Sequence, residues 1–334
     1  MKCCGCYKEV KEGYCLACRK RMFGGARISP VLSFDPPSNI NLLNFQAHSK
    51  RLSISGVQLK YSLQLINKVL ELTDTGGQYI IKPIPPSKQF AHIESIPANE
   101  HLTMQIAAQV FKLPVASNVL IYFKDGTPAY LTKRFDVRST GGKYQQEDFT
   151  QLSGRTSITH GEHYKYEGSY EDIGKLIQQF VPTAILASEQ LFMQVVFNYV
   201  FSNGDAHFKN FSLIRNDEGA YQLSPAYDLL SSVIHSPGES DTALQLYAGD
   251  YDSAFYSKYG YYVRENFLEL AQRLSILPQR AVRILNLFIQ KREAVQQMIM
   301  HSFLNEEVKM IYLNNVEDRL GRIGIEYELE LTNG

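Results

Sequence analysis

The chain contains no tryptophan, and it has no cysteine beyond residue 18. A secreted, disulfide-stapled protein spreads its cysteines through the chain. That architecture is excluded here, and the cluster at Cys3, Cys4, Cys6, Cys15 and Cys18 reads as a local metal site. An excess of one charge is also missing. The 34 Lys and Arg balance 34 Asp and Glu, so no global basic field favours direct contact with nucleic acid. No apolar run approaches the roughly 18 to 20 residues that span a bilayer. The opening MKCCGCYKEV lacks the apolar core of a secretory signal, so no membrane is expected and the cytoplasm is the expected location. Internal repeats and low-complexity tracts are absent too.

What is present is an ordinary globular composition, 44% hydrophobic and 20% charged over 334 residues, enough for a large domain or two lobes. Four stretches follow one another. Residues 1–20 form the Cys-rich knuckle. Residues 21–50 are a connector carrying Gly24, Gly25, Pro36 and Pro37. Residues 51–137 are mainly strand-like: a strand, turn and strand over 52–65, a strand at 78–82, a helix over 98–111, then a hairpin of 115–123 and 129–135. Residues 138–334 are mainly helical, with helices expected over 171–181, 188–201, 262–274 and 278–304. Pro278 suits the first turn of the last of these. A β-rich lobe followed by a helical lobe is an α+β arrangement, and the cleft between such lobes commonly holds a ligand.

The chemistry concentrates in one segment. Asn203, Gly204, Asp205, Ala206, His207, Phe208, Lys209 and Asn210 follow a strongly apolar helix. A short hairpin then leads to Ala226, Tyr227 and Asp228, returning a second carboxylate toward the first. Phosphoryl transfer needs a carboxylate for the attacking hydroxyl, oxygen ligands for Mg²⁺ and positive charge beside the transferred phosphate. Asp205 suits the first task, Asn210 and Asp228 the second, and Lys209 the third. The Asp-x4-Asn spacing is that of the protein-kinase catalytic loop. Asp and Asn beside Gly also serve turns and helix caps, and His207 reads as a packing or hydrogen-bonding residue.

The run NGDAHFKNFSL with the later LSPAYDLLS resembles the catalytic and metal-binding segments of HipA-family kinases. Further segments match in order. Ser53-Ile54-Ser55-Gly56-Val57-Gln58-Leu59-Lys60 resembles the family's phosphate loop. Tyr79 to Pro83 resembles the strand bearing the ATP-binding lysine, here Lys82. Asn99-Glu100 resembles the start of the glutamate helix, and Arg134-Phe135-Asp136 the segment near the hinge. The likeness covers about residues 50 to 320. It implies a two-lobed protein-kinase-like fold and an ATP- and magnesium-dependent protein serine/threonine kinase, the toxin of a toxin–antitoxin pair. A translation component such as an aminoacyl-tRNA synthetase would be its substrate. Gly56, Gln58, Lys60, Lys82, Glu100, Asn210 and Asp228 would hold the nucleotide and its magnesium. An antitoxin protein is the implied partner.

The resemblance also places a self-modified serine at Ser53 or Ser55. A phosphate there adds roughly −1.5 to −2 charges beside the nucleotide's own phosphates, so it is expected to act as a self-inactivation switch. Cys3-x2-Cys6 and Cys15-x2-Cys18 form two hooks suited to tetrahedral zinc of a structural kind. The chain departs from longer family members, which carry an additional N-terminal subdomain. It resembles shorter ones in which a separate small protein supplies that part. A small-molecule kinase using the same site, or a non-catalytic zinc-containing interaction protein, are the competing readings. The tyrosines of 247–262 read as a loop packed on the core or as a wall for a protein acceptor. The tail 326–333 reads as a frayed end.

Overall fold

Short strands buried over most of their length build the first half. In the computed structural model, which describes residues 1–37, 59–86, 89–138 and 140–325, β1 (Tyr61–Ile66) buries Tyr61 and Leu63 and faces its intervening residues outward. It turns into β2 (Val69–Leu72) through Asn67 and Lys68, both at positive φ, the geometry of a tight type I′ hairpin. Of the strand pair expected over 52–65, the part from Tyr61 onward is β1. Ser53, Ser55, Gly56 and Gln58 lie outside the described residues. Next come β3 (Tyr79–Pro83), α2 (Ile96–Gln109), β4 (Asn118–Tyr122) and β5 (Pro128–Lys133). The strands form one antiparallel sheet in the order β2-β1-β3-β5-β4. Helix α2 packs against β4 and β5, and it is buried on nearly every side, as an apolar helix inside a protein must be.

The cysteine segment belongs to this layer. Cys15 caps α1 (Leu16–Phe23) by accepting the Cys18 N–H on its sulfur, and Gly24 closes the helix in the left-handed conformation. Cys3, Cys18, Met22 and Phe23 share one apolar cluster with Tyr61, Leu63, Tyr79 and Val119. Beyond α1, the Leu32 N–H donates to the Tyr122 carbonyl and the Tyr122 N–H to the Pro30 carbonyl, each at 2.8 Å. The edge strand β4 is thereby covered, which removes an exposed pairing edge.

The second half packs helices around a small antiparallel sheet of β6 (Gln146–Asp148), β7 (Ser212–Arg215) and β8 (Tyr221–Leu223). Short helices α3 (Phe149–Leu152) and α4 (Ser157–His160) precede α5 (Tyr170–Phe180) and α6 (Ala184–Val200). They are followed by α7 (Ala254–Tyr259), α8 (Arg264–Arg273), α9 (Pro278–Gln290), α10 (Arg292–Met300) and α11 (Glu306–Gly324). The helix expected over 278–304 is two helices, broken at Lys291. The break lets α9 pack on α8 while α10 reaches back to α2. Strand β6 and helices α1, α3, α4, α7 and α11 have no counterpart among the expected elements. Tyr247 and Tyr262 are buried, and the Tyr262 hydroxyl donates to Asp250 at 2.6 Å, so the two ends of the tyrosine-rich loop are core, whereas Tyr251 between them is exposed. Among the described residues no helix is long and apolar enough to cross a membrane.

Candidate active site

The catalytic-loop candidate begins where α6 ends. Phe192, Phe197 and Phe201 are fully buried, and the last two stack at 4.2 Å between ring centroids, which makes the end of α6 a rigid support. Ser202 follows at φ +52°, then a buried Asn203. The Gly204 N–H donates to the Ser232 hydroxyl at 2.8 Å. A Cβ on Gly204 would lie 2.5 Å from the Ser240 carbonyl oxygen, so only glycine fits there.

Asp205 leaves this anchored stretch with its side chain 41% exposed and facing the cleft between the two halves. Its Oδ1 accepts a hydrogen bond from the Tyr166 hydroxyl at 2.6 Å, and His207 Nε2 lies 3.8 Å away. Burial lowers the His207 imidazole to about 4, so it is neutral near pH 7. Its backbone N–H donates to Asn210 Oδ1 at 3.2 Å, which orients Asn210. The Tyr227 hydroxyl donates to the Lys209 carbonyl at 2.9 Å and ties the loop to the segment after β8.

That segment presents Asp228 at φ +56°, in the left-handed region that Asp tolerates better than most residues. Its carboxylate receives Lys82 Nζ at 2.6 Å on one oxygen and Lys60 Nζ at 3.0 Å on the other. Lys82 projects from β3 and also pairs with Glu100 of α2 at 2.5 Å. Burial would raise Asp228, yet the two ammonium groups hold it well below the usual carboxylate range. Burial pulls Lys82 down, and Asp228 with Glu100 more than restores it. Glu100 is held above its ordinary value because its burial outweighs the attraction of Lys82. One Glu100 oxygen has no hydrogen-bond partner among the described residues.

A cleft of about 370 Å³ thus gathers Lys60, Lys82, Asp205, Lys209, Asn210 and Asp228, with Glu100 buried behind Lys82. Its polar inventory fits a magnesium-bound polyphosphate. Asn210 and Asp228 both line the cleft with oxygens of the kind a hard cation takes, and Lys60 and Lys82 both pair with Asp228. Sequence reasoning missed the segment before α5. Tyr164 and Lys165 line the cleft and Tyr166 bonds Asp205, but they lie in a loop with no periodicity to betray them. The Phe208 N–H donates to the Lys165 carbonyl at 3.2 Å, which pins that loop to the catalytic one.

Away from the cleft, the ligand atoms of Cys3, Cys6, Cys15 and Cys18 all lie within 4.8 Å of one another. Cys6 and Cys15 Sγ are 3.6 Å apart, close to the edge of about 3.8 Å expected of a tetrahedron with Zn–S bonds near 2.3 Å. Cys3 Sγ accepts the Gly5 and Cys15 N–H groups at 3.4 and 3.1 Å, donors suited to thiolates. The residues present fit zinc. Cys4 is buried in the sheet core and stands outside the set.

Comparison with known proteins gives the family and the fold. The family described as the HipA-like C-terminal domain matches residues 52–298. A Haemophilus influenzae protein named "Putative kinase" is 28% identical over 298 residues, covering 84% of each chain. The "Serine/threonine-protein kinase toxin HipA" of Shewanella oneidensis is 25% identical over 213 residues, 59% of this chain and 47% of that one. Among solved structures, the Shewanella oneidensis toxin–antitoxin complex of HipA, HipB and operator DNA aligns with a TM-score of 0.62 at 18% identity, over 90% of this chain and 76% of that one. The Helicobacter pylori proinflammatory kinase CtkA aligns at 0.50 and 15% identity, over 80% and 90%. These likenesses show a kinase-like fold, and with the matched span they establish that the chain belongs to the HipA-like C-terminal domain family.

Proposed function

We propose that this protein is an ATP- and magnesium-dependent protein serine/threonine kinase. The observation that carries the reading is that Lys82 lines one cleft with Asp205, Asn210 and Asp228 from a distant part of the chain. Bound magnesium would supply charge neutralisation between the phosphates of the nucleotide. Asn210 and Asp228 would hold it, Lys82 would engage the phosphates with Glu100 fixing its position, and Lys209 would offset charge on the transferred group. Asp205 would orient the acceptor hydroxyl and take its proton as oxygen bonds to phosphorus and the nucleotide's bridging P–O bond breaks. The Tyr166 hydroxyl already donates to that carboxylate.

Family membership extends the proposal to a toxin role, with an antitoxin protein and a separate small protein as partners in the cytoplasm. A translation component would be the substrate, Gly56 and Gln58 would complete the phosphate loop, and Ser53 or Ser55 would be self-phosphorylated. We also propose structural zinc on Cys3, Cys6, Cys15 and Cys18, and a division into a knuckle (1–20), a connector (21–50) and two lobes (51–137 and 138–334). Incubation with labelled ATP and Mg²⁺ tests the central point. Label is expected on protein with the parent chain and at least ~100-fold less with Asp205→Ala. Equal labelling by both would remove Asp205 from the chemistry, and absence of nucleotide binding in either would end the kinase reading.

A further inference from the structure

We infer that Tyr7 and His101 are positioning residues, through which the four-cysteine knuckle holds the helix that carries Glu100. The importance of Glu100 rests on the kinase reading; the mechanical link does not.

The link begins in the first metal hook. The N–H groups of Cys6 and Tyr7 both donate to the Cys3 carbonyl, at 3.3 and 3.0 Å, so the turn that brings Cys3 and Cys6 together also sets Tyr7. Tyr7 sits there at φ +65°, a conformation that a bulky residue holds only when its surroundings impose it. Its side chain is buried, and its hydroxyl meets His101 Nδ1 at 2.9 Å with the two rings edge to face at 5.0 Å. Phe303 closes the contact, 5.4 Å from the Tyr7 ring and 6.3 Å from His101. At the end of α2, Gln109 Nε2 donates to the Cys6 carbonyl at 3.4 Å, a second tie from the same hook.

His101 is completely buried and directly follows Glu100. Adjacent residues on a helix point about 100° apart, so α2 turns Glu100 toward Lys82 and His101 toward the knuckle. The helix is therefore held on one side by an ion pair at 2.5 Å and on another by the Tyr7 contact. The knuckle has separate attachments to the sheet: the Leu120 N–H donates to the Cys4 carbonyl at 2.8 Å, and the Tyr14 hydroxyl to the Leu120 carbonyl at 3.0 Å. It thus bridges the edge of the sheet and α2. Gly5, whose Cβ would lie 2.8 Å from Cys18 Sγ, has no room for a side chain in this bridge. Without a shared metal the two hooks are no longer bonded through one centre, and the support under Tyr7 loosens.

Two single-atom deletions separate a clamp from general stability. Tyr7→Phe removes the hydroxyl facing α2, and Tyr14→Phe removes an equally buried hydroxyl facing the sheet. The full chain is loaded with zinc, and its metal content, the hydrogen–deuterium exchange of residues 96–109 and the affinity for magnesium–ADP are measured. Zinc removal from the parent is expected to speed exchange across 96–109 and weaken magnesium–ADP roughly 5-fold or more. Tyr7→Phe with its full zinc complement should reproduce much of both effects, while Tyr14→Phe should leave residues 96–109 near the parent. The inference is overturned if the loaded chain holds no zinc, if zinc removal leaves that exchange unchanged, or if Tyr7→Phe behaves like Tyr14→Phe. Coupled exchange in a chain that binds no magnesium–ADP would leave the clamp standing and remove the kinase reading instead.

Discussion

At the scale of single residues, the site is organised around one buried cation. Lys82 is 3% exposed at its side chain and serves two carboxylates at once. Breaking a buried pair from one side leaves an uncompensated charge, a loss of about 3 to 5 kcal/mol, whereas removing both sides costs far less. Lys82→Met is therefore expected to abolish labelling and lower the urea midpoint sharply. Lys82→Met/Glu100→Gln should regain part of the stability and none of the activity. If the double variant is no more stable than the single one, the pair is not the buried-charge problem described. His207 gives a pH signature. Its folded pKa of about 4 lies below the usual 6.5, so the unfolded chain binds the extra proton between these values. The stability it contributes is complete above about pH 6.5 and is lost as pH falls toward 4, by at most about 3 kcal/mol. Denaturation of the parent and His207→Gln at pH 7, 5.5 and 4.5 should show a flatter dependence in the variant.

At the scale of elements, the loop from 202 to 210 is held by its ends and by what lies beneath it. The stacked phenylalanines of α6 fix its entry, and the 3₁₀ turn of Phe208–Asn210 fixes its exit. Gly204 fits only because no Cβ intrudes on the Ser240 carbonyl, a backbone atom that cannot swing aside as a flexible side chain can. Gly204→Ala is expected to displace Asp205 and cut turnover by ~100-fold, since small misplacements at a reacting group are costly. The fold should survive at a loss of about 1 to 3 kcal/mol. A melting curve beside a rate measurement checks both, and a variant with parental turnover would show that the loop tolerates the shift. The break at Lys291 follows the same logic. Two packing partners lie in different directions, and a straight helix reaches only one of them.

At the scale of the molecule, two apolar cores meet at the cleft. One joins the five-stranded sheet with the cysteine segment, and the other joins the helices with most of the apolar face of α2. Asp228 and Lys82 come from opposite sides of the cleft and join across it. A ligand bound there to the folded chain alone stabilises it by about 2.7 kcal/mol at a hundredfold excess over its dissociation constant. Magnesium–ATP is accordingly expected to raise the melting temperature by several degrees in the parent. Asp228→Asn, whatever its own baseline, should show little further rise. An undiminished rise in that variant would place the nucleotide elsewhere.

The amino-acid order alone determined the elements that carry strong local signals. Short apolar, β-rich runs marked β3, β4 and β5, the apolar faces marked α2, α5 and α6, and the spacings Asp-x4-Asn and Cys-x2-Cys marked both chemical clusters. Tertiary structure alone decided what those signals omit. The pairing of Lys60 and Lys82 with Asp228, the Tyr166 hydroxyl on Asp205, the break at Lys291 and the Tyr7–His101 contact join residues between 39 and 168 positions apart, or depend on where a neighbouring helix lies. Periodicity records what a segment does with its own backbone. Contacts of that kind are fixed only when separate segments compete for the same buried volume.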